Sequence, residues 1–109
     1  MGFRLLSAAR LVRDDINDAI RARRLRLVEP EQLTDAAVSI AANIREGYGL
    51  AKGANRNRFL GYARASACET DERLRSNRSV RAIDDQIYWR NHHRLMVIIR
   101  IIDRIVGDR

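Results

Sequence analysis

Cysteine, proline and aromatic residues are scarce in this 109-residue chain, which holds one Cys, one Pro, one Trp, three Tyr and two Phe. A lone thiol, Cys68, closes no internal disulfide, which agrees with a reducing compartment. So few aromatics argue against a sheet of alternating β-branched and aromatic strands. Long apolar runs are missing as well. None approaches the roughly 18 to 20 residues that a membrane span needs, and the N-terminus lacks the apolar stretch and small-residue cleavage site of a signal peptide. A cytoplasmic location without membrane contact is therefore expected. Lysine is almost absent, since Lys52 is the only one among 21 basic residues.

What the chain does contain is a helical pattern and an excess of arginine. Hydrophobic residues make up 46% of it, enough for one core at this length but not for two, so residues 1–109 are expected to form a single domain. From about Phe3 to Arg26, Leu5, Ala9, Val12, Ile16 and Ala19 recur at spacings of four and three, one stripe of an amphipathic helix. Pro30 suits the first turn of a second helix, in which Leu33, Ala37, Ile40 and Ile44 continue the spacing until Gly47 and Gly49 offer a left-handed stop. After the loop 47–54, Asn55 is the expected N-cap of a third helix, with Leu60, Ala63, Ala67, Thr70 and Leu74 inward and Cys68 a small core residue beside them. The polar run Ser76-Asn77-Arg78-Ser79 reads as a turn, with Ser79 capping the fourth helix. There, Tyr88, His92, Leu95, Ile99, Ile102 and Val106 form one stripe, and Ile98, Ile101 and Ile105 form a second beside it. Four such segments on short connections predict an all-α, up-down-up-down four-helix bundle. The second isoleucine stripe predicts an oligomer interface, because one bundle core needs only one stripe.

Catalytic signatures are missing. No serine sits in a nucleophile elbow, and the adjacent His92 and His93 point to different sides of a helix, unlike the spacing that lets two imidazoles share a metal. Glu-x-x-His pairs for a di-iron site and a Walker phosphate loop are both lacking. No catalytic residue, metal or cofactor is expected, and the chain reads as non-enzymatic.

Charge gives the functional lead. The formal net charge is +7, and arginine forks phosphate bidentately and stacks on bases. Arg10, Arg13, Arg21, Arg23, Arg24 and Arg26 on the first helix, with Arg56 and Arg58 at the start of the third, are the candidate phosphate contacts. A GC-rich coding preference for arginine explains the same composition without a ligand.

Ser39-Ile-Ala-Ala-Asn43-Ile-Arg-Glu46-Gly47-Tyr-Gly49, then Arg58-Phe59-Leu60 and Ala63-Arg-Ala65-Ser66-Ala-Cys-Glu69, resembles the four-helix-bundle proteins encoded in intervening sequences of bacterial 23S rRNA genes. Family members usually show Ser-Ile-Pro-x-Asn-Ile-Ala-Glu-Gly, then an arginine after the glycine-aromatic turn, and Ala-x-Gly-Ser-x-x-Glu. Here Ala41 replaces the proline, Arg45 the alanine, Leu50 the arginine and Ala65 the glycine. The resemblance implies a homopentamer with a basic surface and no established catalysis. It also implies a fold related to the accessory variability proteins of diversity-generating retroelements, which bind a reverse transcriptase and nucleic acid, so a reverse transcriptase or another protein joins RNA or DNA as a candidate partner. Ser39, Asn43 and Glu46, spaced four and three apart, and Ser66 and Glu69, three apart, are expected to form a structural polar network between the second and third helices, which meet at Gly47; the rival reading of these residues is a ligand or catalytic site built from paired carboxylates. Two functions stay open at this point: a nucleic-acid-binding homo-oligomer, and a scaffold or protein-interaction module with no nucleic-acid ligand.

Overall fold

The computed structural model describes residues 2–107 as four helices: α1 (Gly2–Arg23), α2 (Pro30–Tyr48), α3 (Ala54–Ser79) and α4 (Asp85–Gly107). Each helix packs on two neighbours, α1 and α3 both against α2 and α4, with no contact across either diagonal among the described residues. The result is a four-helix bundle shaped as a rod of 43 × 19 × 18 Å. None of the described helices is long and apolar enough to cross a membrane.

The inward stripes make the core. All five stripe residues of α1, Leu5, Ala9, Val12, Ile16 and Ala19, are buried, as are the four expected on α2 and the five on α3. Alanines 36, 37 and 41 on α2 and 63 and 67 on α3 are buried too, and side chains this small let two helices approach closely. Gly47 belongs to the same contact. A Cβ built there would lie 3.3 Å from the Arg56 carbonyl oxygen and from Phe59 Cβ, so this residue keeps α2 close to the start of α3.

Helix ends depart from the sequence reading at several points. Gly49 caps α2 in a right-handed conformation, with φ −75°, and neither Gly47 nor Gly49 has a positive φ. Gly53, at φ 147°, precedes α3 instead, and no side chain caps that helix, so Asn55 lies inside it. The run 76–79 is the last turn of α3 rather than a connection. Asn77, 1% exposed, holds it there: its side chain accepts a hydrogen bond from the Val28 amide at 2.7 Å and donates to the Val28 and Arg73 carbonyls at 3.3 and 2.8 Å. Ser79 donates to the Ser76 carbonyl, and Asp84 is the cap of α4, accepting from the Ile87 amide at 2.9 Å. Cys68 is exposed, one residue past buried Ala67, and one residue is about 100° of helical rotation.

The isoleucines of α4 also differ from expectation. Ile98 and Ile101 are buried within this chain's own core, and only Ile105 of that stripe is partly open. A core enclosed by four helices takes a wider face of each helix than one residue row, and α4 supplies it from both rows.

Candidate nucleic-acid interface

Contacts among helix ends divide six of the eight expected phosphate-binding residues between the two ends of the rod, while Arg10 and Arg13 lie midway along α1. At one end Asn77 clasps Val28, Arg73 bonds Glu29 at 3.0 Å and Arg78 bonds Asp85 at 2.9 Å. The end of α1, the 24–29 loop, the end of α3 and the start of α4 therefore meet there. Arg21, Arg23, Arg24 and Arg26 belong to this end. Arg56 and Arg58 lie beside the α2–α3 loop instead.

At the first end, five arginines line a single cavity of about 630 Å³: Arg23 and Arg26 from the α1 side, and Arg75, Arg78 and Arg81 from the α3 side. Ala82 and Ile83, both buried, supply apolar lining, and Asp84 and Asp85 are the acidic residues of the wall. An apolar lining lowers the local dielectric, so charges at the rim act on a ligand more strongly than in open water. Three of the arginines have acidic neighbours: Arg23 reaches Asp84 at 3.8 Å, Arg78 reaches Asp85 at 2.9 Å and Arg75 reaches Asp71 at 3.0 Å. Arg26 and Arg81 form no ion pair among the described residues. Arg81 also adopts a left-handed backbone, φ 61°, which a residue with a β-carbon rarely does. A neighbouring cavity of about 480 Å³ is bounded by Arg21, Arg23, Arg24 and Arg26.

The other expected contacts are placed as follows. Arg21 pairs with Asp18, Arg24 with Glu31 and Arg13 with Asp14. Arg10 is exposed. Arg58 is exposed and lies over the Phe59 ring at 5.4 Å. Arg56 does not face outward as a loose charge. Its Nη2 donates to the Leu50 carbonyl at 2.8 Å and its guanidinium lies 4.7 Å over Tyr48, while its Nε is buried with no hydrogen-bond partner among the described residues. Arg56 thus ties the start of α3 to the α2–α3 loop and to the end of α2. Arg75, Arg78 and Arg81 were missed in the sequence, although their spacing of three aligns Arg75 and Arg78 on one helical face.

The motif residues form a smaller network than expected. Ser66 Oγ donates to Ser39 Oγ at 2.9 Å, and Asn43 Nδ2 donates to the Ser39 carbonyl at 2.9 Å and to its Oγ at 3.0 Å. These three join α2 to α3. Glu46 is exposed and Glu69 bonds Arg73 at 2.9 Å, so neither carboxylate enters the network. On the α3–α4 side, buried Asp71 lies 2.7 Å from His92 Nδ1, with Tyr88 stacked on the imidazole and bonded by Arg75. Among the described residues no cluster of His, Cys, Asp or Glu is arranged to hold a metal ion.

Between α1 and α4, Asp15 accepts from Arg90, Asn91 and Arg94 at 2.8, 3.1 and 2.8 Å. Burial acts to raise the Asp15 pKa, but the hydrogen bonds from Arg90 and Asn91 and the charges of Arg90 and Arg94 outweigh it. The net shift is below the ordinary value of 3.8. A carboxyl with a depressed folded-state pKa stabilises the fold above its unfolded pKa, and that contribution fades as pH falls through the folded value. Asp15→Asn is therefore expected to lose roughly 1 to 2 kcal/mol at pH 7. The gap in melting temperature between parent and variant should close below about pH 4; a gap constant from pH 7 to pH 3 would contradict the ionised role.

The geometry is that of an all-helical bundle with an arginine-rich end. A family model for 23S rRNA-intervening sequence proteins matches residues 15–104, and the chain belongs to that family. No match was found among curated proteins, and none among solved structures.

Proposed function

We propose that this protein is a non-enzymatic, cytoplasmic nucleic-acid-binding module that engages phosphates through its arginine-lined end. The observation that carries the reading is the convergence of Arg23, Arg26, Arg75, Arg78 and Arg81 on one cavity with only two acidic residues in its wall. Two of these arginines form no ion pair among the described residues, and surface pairs such as Arg23–Asp84 are weak enough for a phosphate to displace. Guanidinium groups offer phosphate two parallel N–H donors, a stronger contact than a lysine's point charge. The His92–Asp71 pair, held by Tyr88 and Arg75, is taken in this reading as a structural link between α3 and α4.

The same reading takes the chain as an up-down-up-down bundle, because contacts between consecutive helix ends alternate between the two ends of the rod. It also takes it as one subunit of a homo-oligomer, with a pentamer as the form implied by the family resemblance. An apolar groove of about 500 Å³ between the start of α1 and the end of α2, bordered by Phe3, Leu6, Ile44 and Tyr48, gives a subunit contact somewhere to form. Phe3 there is 86% exposed.

Oligonucleotide affinity measured by fluorescence anisotropy across a salt series tests the reading. Each phosphate neutralised contributes roughly −0.7 on single strands, or −0.9 on duplex DNA, to the slope of log K against log salt. Arg26→Gln with Arg81→Gln removes two guanidinium groups that hold no ion pair among the described residues, so the bundle should keep its stability while the slope becomes shallower by about 1.4 on a single strand. An unchanged slope and affinity would remove the arginine-lined end as the site. Salt-independent capture of a protein partner with no oligonucleotide binding would favour the scaffold instead.

A further inference from the structure

Beside the arginine-lined cavity stands Trp89, the only tryptophan in the chain and 52% exposed. The Arg78 guanidinium connects the two. It lines the cavity and lies over the rings of both Tyr88 and Trp89, 5.0 Å from each centroid, so it occupies one face of the indole and leaves the other for a ligand. Tyr88 and His92 pack against the indole in T-shaped arrangements, with ring centroids 5.0 and 5.4 Å away and interplanar angles of 76° and 87°. His92 is itself fixed by Asp71 at 2.7 Å.

We propose that an unpaired nucleobase stacks on Trp89, so that this end takes single-stranded nucleic acid in preference to duplex; the proposal rests on the nucleic-acid reading above and specifies its ligand. A nucleotide joins a phosphate and a base covalently, and Arg78 joins an anion-binding cavity and an aromatic surface in the same way. One nucleotide can therefore place its phosphate among Arg26, Arg78 and Arg81 and its base against the indole. Arginine grooves bordered by aromatic rings are the common means of holding single strands, because every base has a π face and no sequence needs to be read. In a duplex the bases are already stacked on one another, and presenting one to Trp89 requires unstacking it. Duplex is therefore left with the phosphate contacts alone.

Because Trp89 is the sole tryptophan, its emission reports the contact directly. The protein is titrated with oligo(dT), with an abasic strand of equal length and with the same oligo(dT) annealed to oligo(dA). The emission is expected to be quenched by oligo(dT) and to change little with the other two. By anisotropy, Trp89→Leu should bind oligo(dT) on the order of tenfold more weakly, with unchanged affinity for the abasic strand and an unchanged salt slope. Trp89→Phe, which keeps an aromatic face, should recover most of the difference. Equal affinity of parent and Trp89→Leu for oligo(dT), or equal quenching by the abasic strand, overturns the stacking proposal while leaving phosphate binding intact. If sedimentation shows that Trp89→Leu disrupts self-association while oligonucleotide binding is unaffected, the indole serves a subunit contact and the proposal falls. No binding of any strand at low salt would overturn the nucleic-acid reading itself, and stacking with it.

Discussion

An Asn77→Ala variant is expected to melt about 10 °C below the parent protein. Asn77 is 1% exposed and its side chain makes three hydrogen bonds, two of them to the main chain of Val28. Truncation leaves the Val28 N–H and C=O without their partner, and each buried group so orphaned costs about 1 to 3 kcal/mol. Val28 is partly open to solvent, so water compensates for some of this and a total of roughly 2 to 3 kcal/mol remains. At about 4 °C per kcal/mol for a domain of this length, thermal unfolding followed by circular dichroism should register the full shift. Asn77→Asp keeps an acceptor for the Val28 amide but loses both donor bonds, so it should fall between parent and Asn77→Ala. The 24–29 segment held by this side chain includes Arg24 and Arg26. Loosening it should weaken oligonucleotide binding as well, by less than removal of the arginines does. A melting temperature within 2 °C of the parent, an allowance of roughly half a kcal/mol, would mean that the clasp contributes nothing.

The contrast between what could be read along the chain and what could not follows from the range of the interactions. Leu5, Ala9, Val12, Ile16 and Ala19 are all inward because a helix converts sequence spacing directly into a face. The motif around Ser39, Asn43 and Ser66 indicated a link between α2 and α3, and the hydrogen bonds among these three residues provide one. Asn77 behaved oppositely. Its local propensity favours a turn, but a partner forty-nine positions away on Val28 fixes it in a helix, and no local window contains that partner. Cys68 was misplaced by one residue on the helical wheel, an error that the small-residue composition of α3 does nothing to correct. The arginine-lined end was half legible. The dense cluster on α1 stood out, whereas Arg75, Arg78 and Arg81 lie among ordinary polar residues and join it only when the chain returns. Arg56 shows the reverse effect: a charge that counts as basic surface in the sequence is occupied by the Leu50 carbonyl and the Tyr48 ring.

Aspartate at two positions of α4 is expected to give opposite outcomes. Ile98 is 0% exposed and packed in the core. Ile98→Asp forfeits burial of a large aliphatic side chain, about 1.5 to 3 kcal/mol, and leaves a carboxyl group with no partner in an apolar site, which adds several kcal/mol more. That total approaches the roughly 5 to 15 kcal/mol by which a domain of this kind is stable, so the variant should lose helical content and cooperative melting at 37 °C. Ile105 is half-buried near the end of the same helix. Ile105→Asp should cost only about 1 kcal/mol within the chain, because part of its side chain faces water and the new carboxylate can remain hydrated. Sedimentation then separates folding from assembly. If Ile105 contributes to a subunit contact, the folded variant should sediment close to the 12.5 kDa of a single chain under conditions where the parent is a multiple of it. A folded Ile105→Asp with the parent's mass would place the contact elsewhere, with the groove at Phe3 and Tyr48 the next surface to alter. A folded but dissociated Ile98→Asp would contradict the enclosure of that residue by its own bundle, since a side chain sealed within one chain cannot affect assembly without first affecting the fold.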